Sequence, residues 1–267
     1  MRYALSAAGL RCVREHLRGR PLLAFDIDGT LAPIVERPWD AKLPAALQEG
    51  LAALAGRATV ALITGRAVVD ALQMVAFRPR YLIGNHGADG VPGFEGAKAG
   101  FARTCRAWLD QLSATAQSWR KLQGVALEDK TYTLAFHYRQ ARSRTRTRRL
   151  LEHTAAQLAP HPTVTHGKHV LNMIPPGAPD KGDALRSLLK HSSCDRALYV
   201  GDDASDEAVF RLHLPAVLTL RVERASGSAA DLYLRQQAEM ARLVRELTHI
   251  CRDALGADER QRQGVEA

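Results

Sequence analysis

Two carboxylates, Asp26 and Asp28, stand two residues apart in the stretch "FDIDGT", directly after the apolar run Leu22–Phe25. Like charges so close together are costly unless a cation neutralises them, which points to metal or phosphate chemistry. Three further apolar runs end in polar residues of the same kind. Thr59–Ile63 leads into Thr64, Gly65 and Arg66, and Tyr81–Ile83 into "GNHGAD", which carries Asn85, His86, Gly87 and Asp89. Ala197–Val200 leads into "GDDASDE", with Asp202, Asp203, Ser205, Asp206 and Glu207. Ligands of open α/β sheets sit beyond the carboxyl ends of the strands, so four such ends can converge on one site. Lys181 lies at the start of a helical pattern, where a cation opposes the helix dipole and suits an anionic partner.

Each feature also has a plain structural explanation. Asp26-x-Asp28-Gly29-Thr30 reads as an Asx turn, although one Asp would suffice for it. Thr64 reads as a helix cap. Asp203 and Glu207 read as acids that suit a helix dipole, and Lys181 as an exposed lysine next to a capping Asp180. Residue type leaves both readings open.

The four runs alternate with helical patterns, which argues for βαβ units and a parallel sheet. "LPAALQEGLAALAG", apolar at helical spacing and closed by Gly56, is a crossover helix between the first two. The N-terminus reads as a short helix feeding the first strand. The middle of the chain changes character. A helical pattern from about residue 97 to 119 precedes two antiparallel strands turning at residues 128–130, then an Arg-rich helix over 142–158, then a hairpin turning at Gly167. "PPGAPDKG" marks the return to the first unit. The expected organisation is therefore a core of residues 1–93 and 175–267 interrupted by an α+β unit over 94–174. The tail over 257–267 has no apolar periodicity and is expected to fray.

With 267 residues and 46% hydrophobic content, the chain can bury one or two cores. Lys and Arg outnumber Asp and Glu by 37 to 28, a net +9, which favours anionic partners without choosing among them. Four scattered cysteines without a CxxC pair read as reduced thiols in a cytoplasmic protein, with no cysteine metal site. The first apolar stretch is too short for a signal peptide or a membrane span. "RQARSRTRTRR" reads as a solvated helix surface, since no interleaved aromatics accompany it to stack bases. A nucleic-acid partner is accordingly not expected.

The ordered set "DIDGT", "TGR", "DKG" and "GDDASDE" resembles the haloacid dehalogenase-like phosphatases. "GNHGAD", "LAFHYRQA" and "HGKHVLNMIPPG" extend the resemblance to the trehalose-6-phosphate phosphatase family over most of the chain. The resemblance implies a Rossmann-like parallel-sheet core with an inserted α+β cap domain, and a monomer or weak dimer acting on a small sugar phosphate. It implies an aspartyl-phosphate mechanism in which Asp26 attacks phosphorus and Asp28 moves the proton, first as acid and then as base. Mg²⁺ would be held by Asp26, the Asp28 carbonyl and Asp202, with Asp206 orienting its waters. Lys181 and Thr64 would stabilise the phosphoryl oxygens, with Ser205 beside them. Arg66, Asn85, His86 and Gly87 on the core, and His137, Arg139, Lys168 and Asn172 on the cap, would meet the sugar.

The chain departs from the family pattern at Asn172 and Ile174, where Glu-x-Lys or Glu-x-Arg is usual, and at Asp89, where Glu is usual. Asn exchanges hydrogen bonds with hydroxyls, but Ile cannot replace a cation. Trehalose 6-phosphate and another phosphorylated sugar or glycoside therefore both stand as substrates. A phospho-accepting signalling domain also gathers Asp, Thr and Lys at strand ends, but is much shorter and has no inserted unit. A basic nucleic-acid-binding protein would bind in a salt-dependent way.

Overall fold

The computed structural model describes residues 1–115 and 119–263, the last ten of these in backbone only. Among the described residues, eleven strands form two sheets. The larger comprises β1 (Arg2–Tyr3), β2 (Pro21–Phe25), β3 (Thr59–Ile63), β4 (Tyr81–Ile83), β9 (Arg196–Gly201), β10 (Val217–Val222) and β11 (Leu232–Leu234). It is parallel throughout, in the order β1-β11-β10-β9-β2-β3-β4. The expected strands β9, β2, β3 and β4 are thus consecutive neighbours, and their polar ends lie side by side.

Every residue of β2 is buried, as a central parallel strand covered on both faces requires. Alternation of side chains splits its apolar run between two layers. Leu23 and Phe25 pack with Leu47 and Leu51 of α2 (Ala45–Ala55) and Leu243 and Leu247 of the C-terminal helix, which runs from Met240 to Gln263. Leu22 and Ala24 face Leu185 and Leu188 on the helix Lys181–His191. The N-terminal helix α1 (Ala7–His16) is preceded by β1 and capped by the Ser6 hydroxyl, which accepts from the Gly9 amide at 3.0 Å. α3 (Val68–Met74) follows β3.

Between β4 and the helix at Lys181 the chain builds α4 (Lys98–Ala114), β5 (Ala126–Asp129), β6 (Leu134–His137), α5 (Arg144–Ala156), β7 (Thr163–Gly167) and β8 (Val170–Ile174). The strands form an antiparallel sheet in the order β5-β6-β8-β7. Leu134, Phe136, Leu171 and Met173 pack on Trp108 of α4 and Leu151 of α5, a third core. The alternate residues point the other way. In register across this second face run Glu128, Ala135, Asn172 and Thr165.

The helix at Lys181 is numbered α6, the short Glu207–Phe210 helix after β9 is α7, and the C-terminal helix is α8. The helix expected over 97–119 ends at Ala114, and residues 116–118 lie outside the described residues. Of the 257–267 tail, residues 257–263 continue α8 and residues 264–267 lie outside the described ones. Among the described residues no helix is long and apolar enough to cross a membrane.

Candidate active site

Asp26 follows β2, its amide donating to the Val200 carbonyl of β9 at 2.9 Å. It is buried, and Lys181 places Nζ 3.0 Å from Asp26 Oδ1 and 2.8 Å from Asp206 Oδ1. Lys181 is only 2% exposed, so the reading of it as a surface lysine does not hold. Asp180 does cap α6, its carboxylate accepting from the Asp183 amide at 2.8 Å. Burial alone favours a neutral Lys181 amine, but Asp206 and Asp26 overcome it and hold the ammonium.

Asp206 is saturated. Its Oδ1 accepts from Lys181 and from the Tyr199 hydroxyl at 2.6 Å, and its Oδ2 accepts from the Asp202 and Asp203 amides at 2.9 and 2.8 Å. Burial favours its neutral form, but Lys181, Tyr199 and the amides outweigh that and keep its pKa below the ordinary carboxylate value. Asp26 and Asp202 move the other way. Burial raises Asp26 well above the usual range, with Lys181 opposing and the neighbouring acids adding. Asp202 rises to about 7 through burial and Asp206, with Lys168 opposing.

One buried lysine cannot neutralise three carboxylates, and the surplus tests the site for a cation. Carboxylate oxygens of Asp26, Asp202 and Asp206 lie within 4.8 Å of one another. A negatively charged, all-oxygen donor set fits a hard divalent ion. Because the hydrogen bonds of Asp206 are spent, it orients the neighbouring groups, while Asp26 and Asp202 present oxygens. Gly29 (φ +83°) permits this packing, because a Cβ there would collide with the Asp202 carboxylate.

Asp28 is gripped by Arg66, with Nε to Oδ2 at 2.6 Å and Nη2 to Oδ1 at 2.7 Å. This bidentate pairing fixes where the carboxylate points. Thr64 is fully buried; its hydroxyl accepts from the Arg66 amide at 3.2 Å, and it is not among the residues lining the cavity. His86, in left-handed backbone (φ 59°), lays its ring against Gly65. The ring is buried, and neither nitrogen has a hydrogen bond of normal geometry. Burial, then Lys130 and Lys181, push its pKa down to about 3, so the imidazole is neutral.

Asp26, Asp28, Arg66, His86, Lys181 and Asp202 line a cavity of about 140 Å³ together with His137, Arg139, Lys168, Asn172 and Ser205. His137 Nε2 lies 2.5 Å from Glu128 Oε2. Arg139 donates to the Val35 and Lys168 carbonyls, and Lys168 Nζ reaches Asp202 Oδ2 at 3.2 Å. Ile174 is buried outside the cavity lining, whereas Asn172 is in it.

Asn85 has another task. Its Nδ2 donates to the Lys130 carbonyl at 3.3 Å and its Oδ1 accepts from Thr133 at 2.7 Å, so both ends of the amide join the β5–β6 turn. Lys130 reinforces the joint by donating to the Gly65 carbonyl at 2.9 Å. Gly87 (φ +124°) lies against the Pro179 carbonyl, where a side chain would not fit.

Sequence reasoning missed Glu128 and Lys130, which also line the cavity, and Tyr199 and Arg221 behind it. Arg221 donates to the Asp202 and Asp203 carbonyls and to Glu207 Oε1, the last at 3.1 Å. Glu128 and Lys130 left a signal, two opposite charges two residues apart beside an apolar strand. Tyr199 left none, being one more apolar residue in a buried run.

A trehalose-phosphatase family model matches residues 24–235. A probable trehalose-phosphate phosphatase of Sinorhizobium fredii is 34% identical over 71% of this chain and 72% of its own length. An uncharacterized glycosyl hydrolase of Mycobacterium tuberculosis is 31% identical over 72% of this chain, which spans 15% of that larger protein. The C-terminal domain of Candida albicans trehalose-6-phosphate phosphatase superposes with a TM-score of 0.72 over 93% of this chain and 98% of that one, at 19% identity. That likeness is one of fold. The match across 24–235, together with the four polar strand ends around Lys181, makes this chain a phosphoric monoester hydrolase that belongs to the trehalose-phosphatase family.

Proposed function

We propose that the chain hydrolyses trehalose 6-phosphate to trehalose and phosphate through an aspartyl phosphate on Asp26. The observation that carries this reading is the buried Asp26 beside Lys181, 3.0 Å away, at the end of the central strand. A carboxylate nucleophile splits one difficult hydrolysis into two easier transfers.

Asp26 Oδ attacks phosphorus, the ester P–O bond breaks, and Asp28 gives its proton to the departing sugar oxygen. Asp28 then takes a proton from water as it attacks the acyl phosphate, restoring Asp26 and releasing phosphate. Arg66 aims the Asp28 carboxylate for both transfers. Lys181 holds charge balance at Asp26, and Ser205 and the Gly65 amide supply donors near the phosphoryl oxygens. Asp26, Asp202 and the Asp28 carbonyl would hold Mg²⁺, oriented by Asp206. The ion would draw charge from the phosphoryl group and offset repulsion between the anions.

The inserted unit over 94–174 acts as a cap that encloses the sugar, and His86, His137, Arg139, Lys168 and Asn172 meet its hydroxyls. Asn172 and Ile174, in place of the usual charged pair, favour a second reading in which the same chemistry serves another phosphorylated glycoside. We further read the chain as a cytoplasmic monomer or weak dimer without a nucleic-acid partner, a reading supported by its free cysteines and by the absence of exposed aromatics along its basic helix.

The test is phosphate release from a panel of sugar phosphates, with and without a chelator. Turnover of trehalose 6-phosphate that exceeds glucose 6-phosphate by at least about tenfold and stops on chelation is expected. Equal turnover of both substrates would overturn the first reading in favour of the second.

A further inference from the structure

A groove of about 950 Å³ lies next to the reaction cavity and shares Arg139, Gly167 and Lys168 with it. Nothing in the hydrolysis uses its remaining wall. Arg144, Arg148 and Arg149 come from α5, Arg139 from the segment after β6, and Lys168 from the β7–β8 turn. Against these five cations the lining offers two carboxylates, Glu36 and Glu152. Glu152 is already engaged, 2.8 Å from Arg148 Nε and 3.2 Å from His166 Nε2. Among the described residues, Arg144 and Arg149 form no ion pair.

The groups in the groove register one another's charge. Burial and then Arg148 lower the His166 pKa, while burial and then Arg144 and Arg139 lower that of His169. The arginines of α5 are exposed, as a solvated helix surface requires, and three of them border this groove. Walls of one charge sign focus the field and concentrate counter-ions between them.

We propose that this groove is a second anion site, which takes a small molecule bearing two or more phosphate groups and adjoins the site of hydrolysis at Arg139 and Lys168. The arrangement sets the class. Arg144 and Arg149 on α5, Arg139 after β6 and Lys168 on the β7–β8 turn bring cations from three separate elements, which suits several anionic groups better than one. An anion held there competes with Asp202 for the Lys168 ammonium, so its occupancy is communicated to the reaction cavity.

The experiment is calorimetric titration of inorganic tripolyphosphate into the full chain in the presence of a chelator, where the acid-rich reaction cavity repels anions. Wild type should bind one equivalent, and affinity should fall as salt is added. The Arg144→Ala/Arg149→Ala variant should bind at least about tenfold more weakly, because two charge-assisted contacts are lost. That variant should keep wild-type kcat and KM for the sugar phosphate and an unchanged circular dichroism spectrum. Equal affinity in both proteins, binding displaced by orthophosphate, or no binding to wild type at low salt would each overturn the proposal.

Discussion

The two walls of the reaction cavity are built on opposite principles. On the wall formed by the seven-stranded sheet, Asp206 has a partner for each carboxylate lone pair it offers, and Lys181 bridges two acids. Where the loop after β4 meets Asn172 of the four-stranded sheet, neither His86 nitrogen makes a hydrogen bond of normal geometry among the described residues. A saturated network is rigid and holds reacting groups in one arrangement. Under-satisfied buried polar atoms cost free energy until something supplies their hydrogen bonds.

The contrast is broken most severely at Asp26. Asp26→Asn should lower kcat by about 10³-fold or more while leaving the circular dichroism spectrum unchanged. Phosphate release near the wild-type rate would remove Asp26 from the reaction.

Lys181→Met tests saturation itself. Withdrawing one partner from a buried ionic network costs about 3–5 kcal/mol, measurable by urea unfolding at neutral pH. The deficit should shrink near pH 4, where protonation relieves the carboxylates left behind. A loss independent of pH would mean that packing, not charge, is the contribution of Lys181.

Asp202 gives the pH dependence a sign. Its carboxyl is raised from 3.8 to about 7 in the folded chain, so between those values the folded form holds a proton that the unfolded form lacks. That contribution is complete below 3.8 and vanishes as pH rises through 7. Asp26, also raised, adds in the same direction. The chelated protein should therefore melt at a lower temperature at pH 8 than at pH 5. Added Mg²⁺ should raise the melting temperature more at pH 8, and an equal gain at both would contradict the assignment.

The other wall should respond more gently. Asn172→Ala should raise KM about tenfold with kcat nearly unchanged, because it removes binding without touching the reacting atoms. A collapse of kcat at constant KM would place Asn172 in the chemistry instead. The smallest effect is at His86, which is held neutral with a pKa of about 3. Its imidazole proton resonances should not shift between pH 8 and 5, and a midpoint near 6.5 would show that the ring is solvated.

Chemistry was easier to read in the sequence than recognition, for a physical reason. Asp26, Asp202 and Asp206 each sit just past a buried strand, and the parallel order β9-β2-β3-β4 brings those ends together without further information. Strands β1 and β11, two and three residues long, carry too little pattern to be read from the sequence. The family resemblance marks Asn85 as a sugar ligand, yet its amide is used up by Lys130 and Thr133, some 45 residues away in the chain. Tyr199 and Arg221 become functional only through contacts with Asp206 and Asp202 that no local spacing encodes.

The joint between the β5–β6 turn and the loops after β3 and β4 carries a mechanical consequence. It fastens one corner of the four-stranded sheet through buried hydrogen bonds from Lys130, Asn85 and Thr133. The β7–β8 turn, at the opposite end and edge of that sheet, rests on Asp202 through Lys168, whose side chain is 45% exposed. Arg139, donating to the Val35 carbonyl, ties that same end to the segment after β2, so the four-stranded sheet is held at both ends, by buried contacts at Lys130 and by partly exposed ones at Lys168.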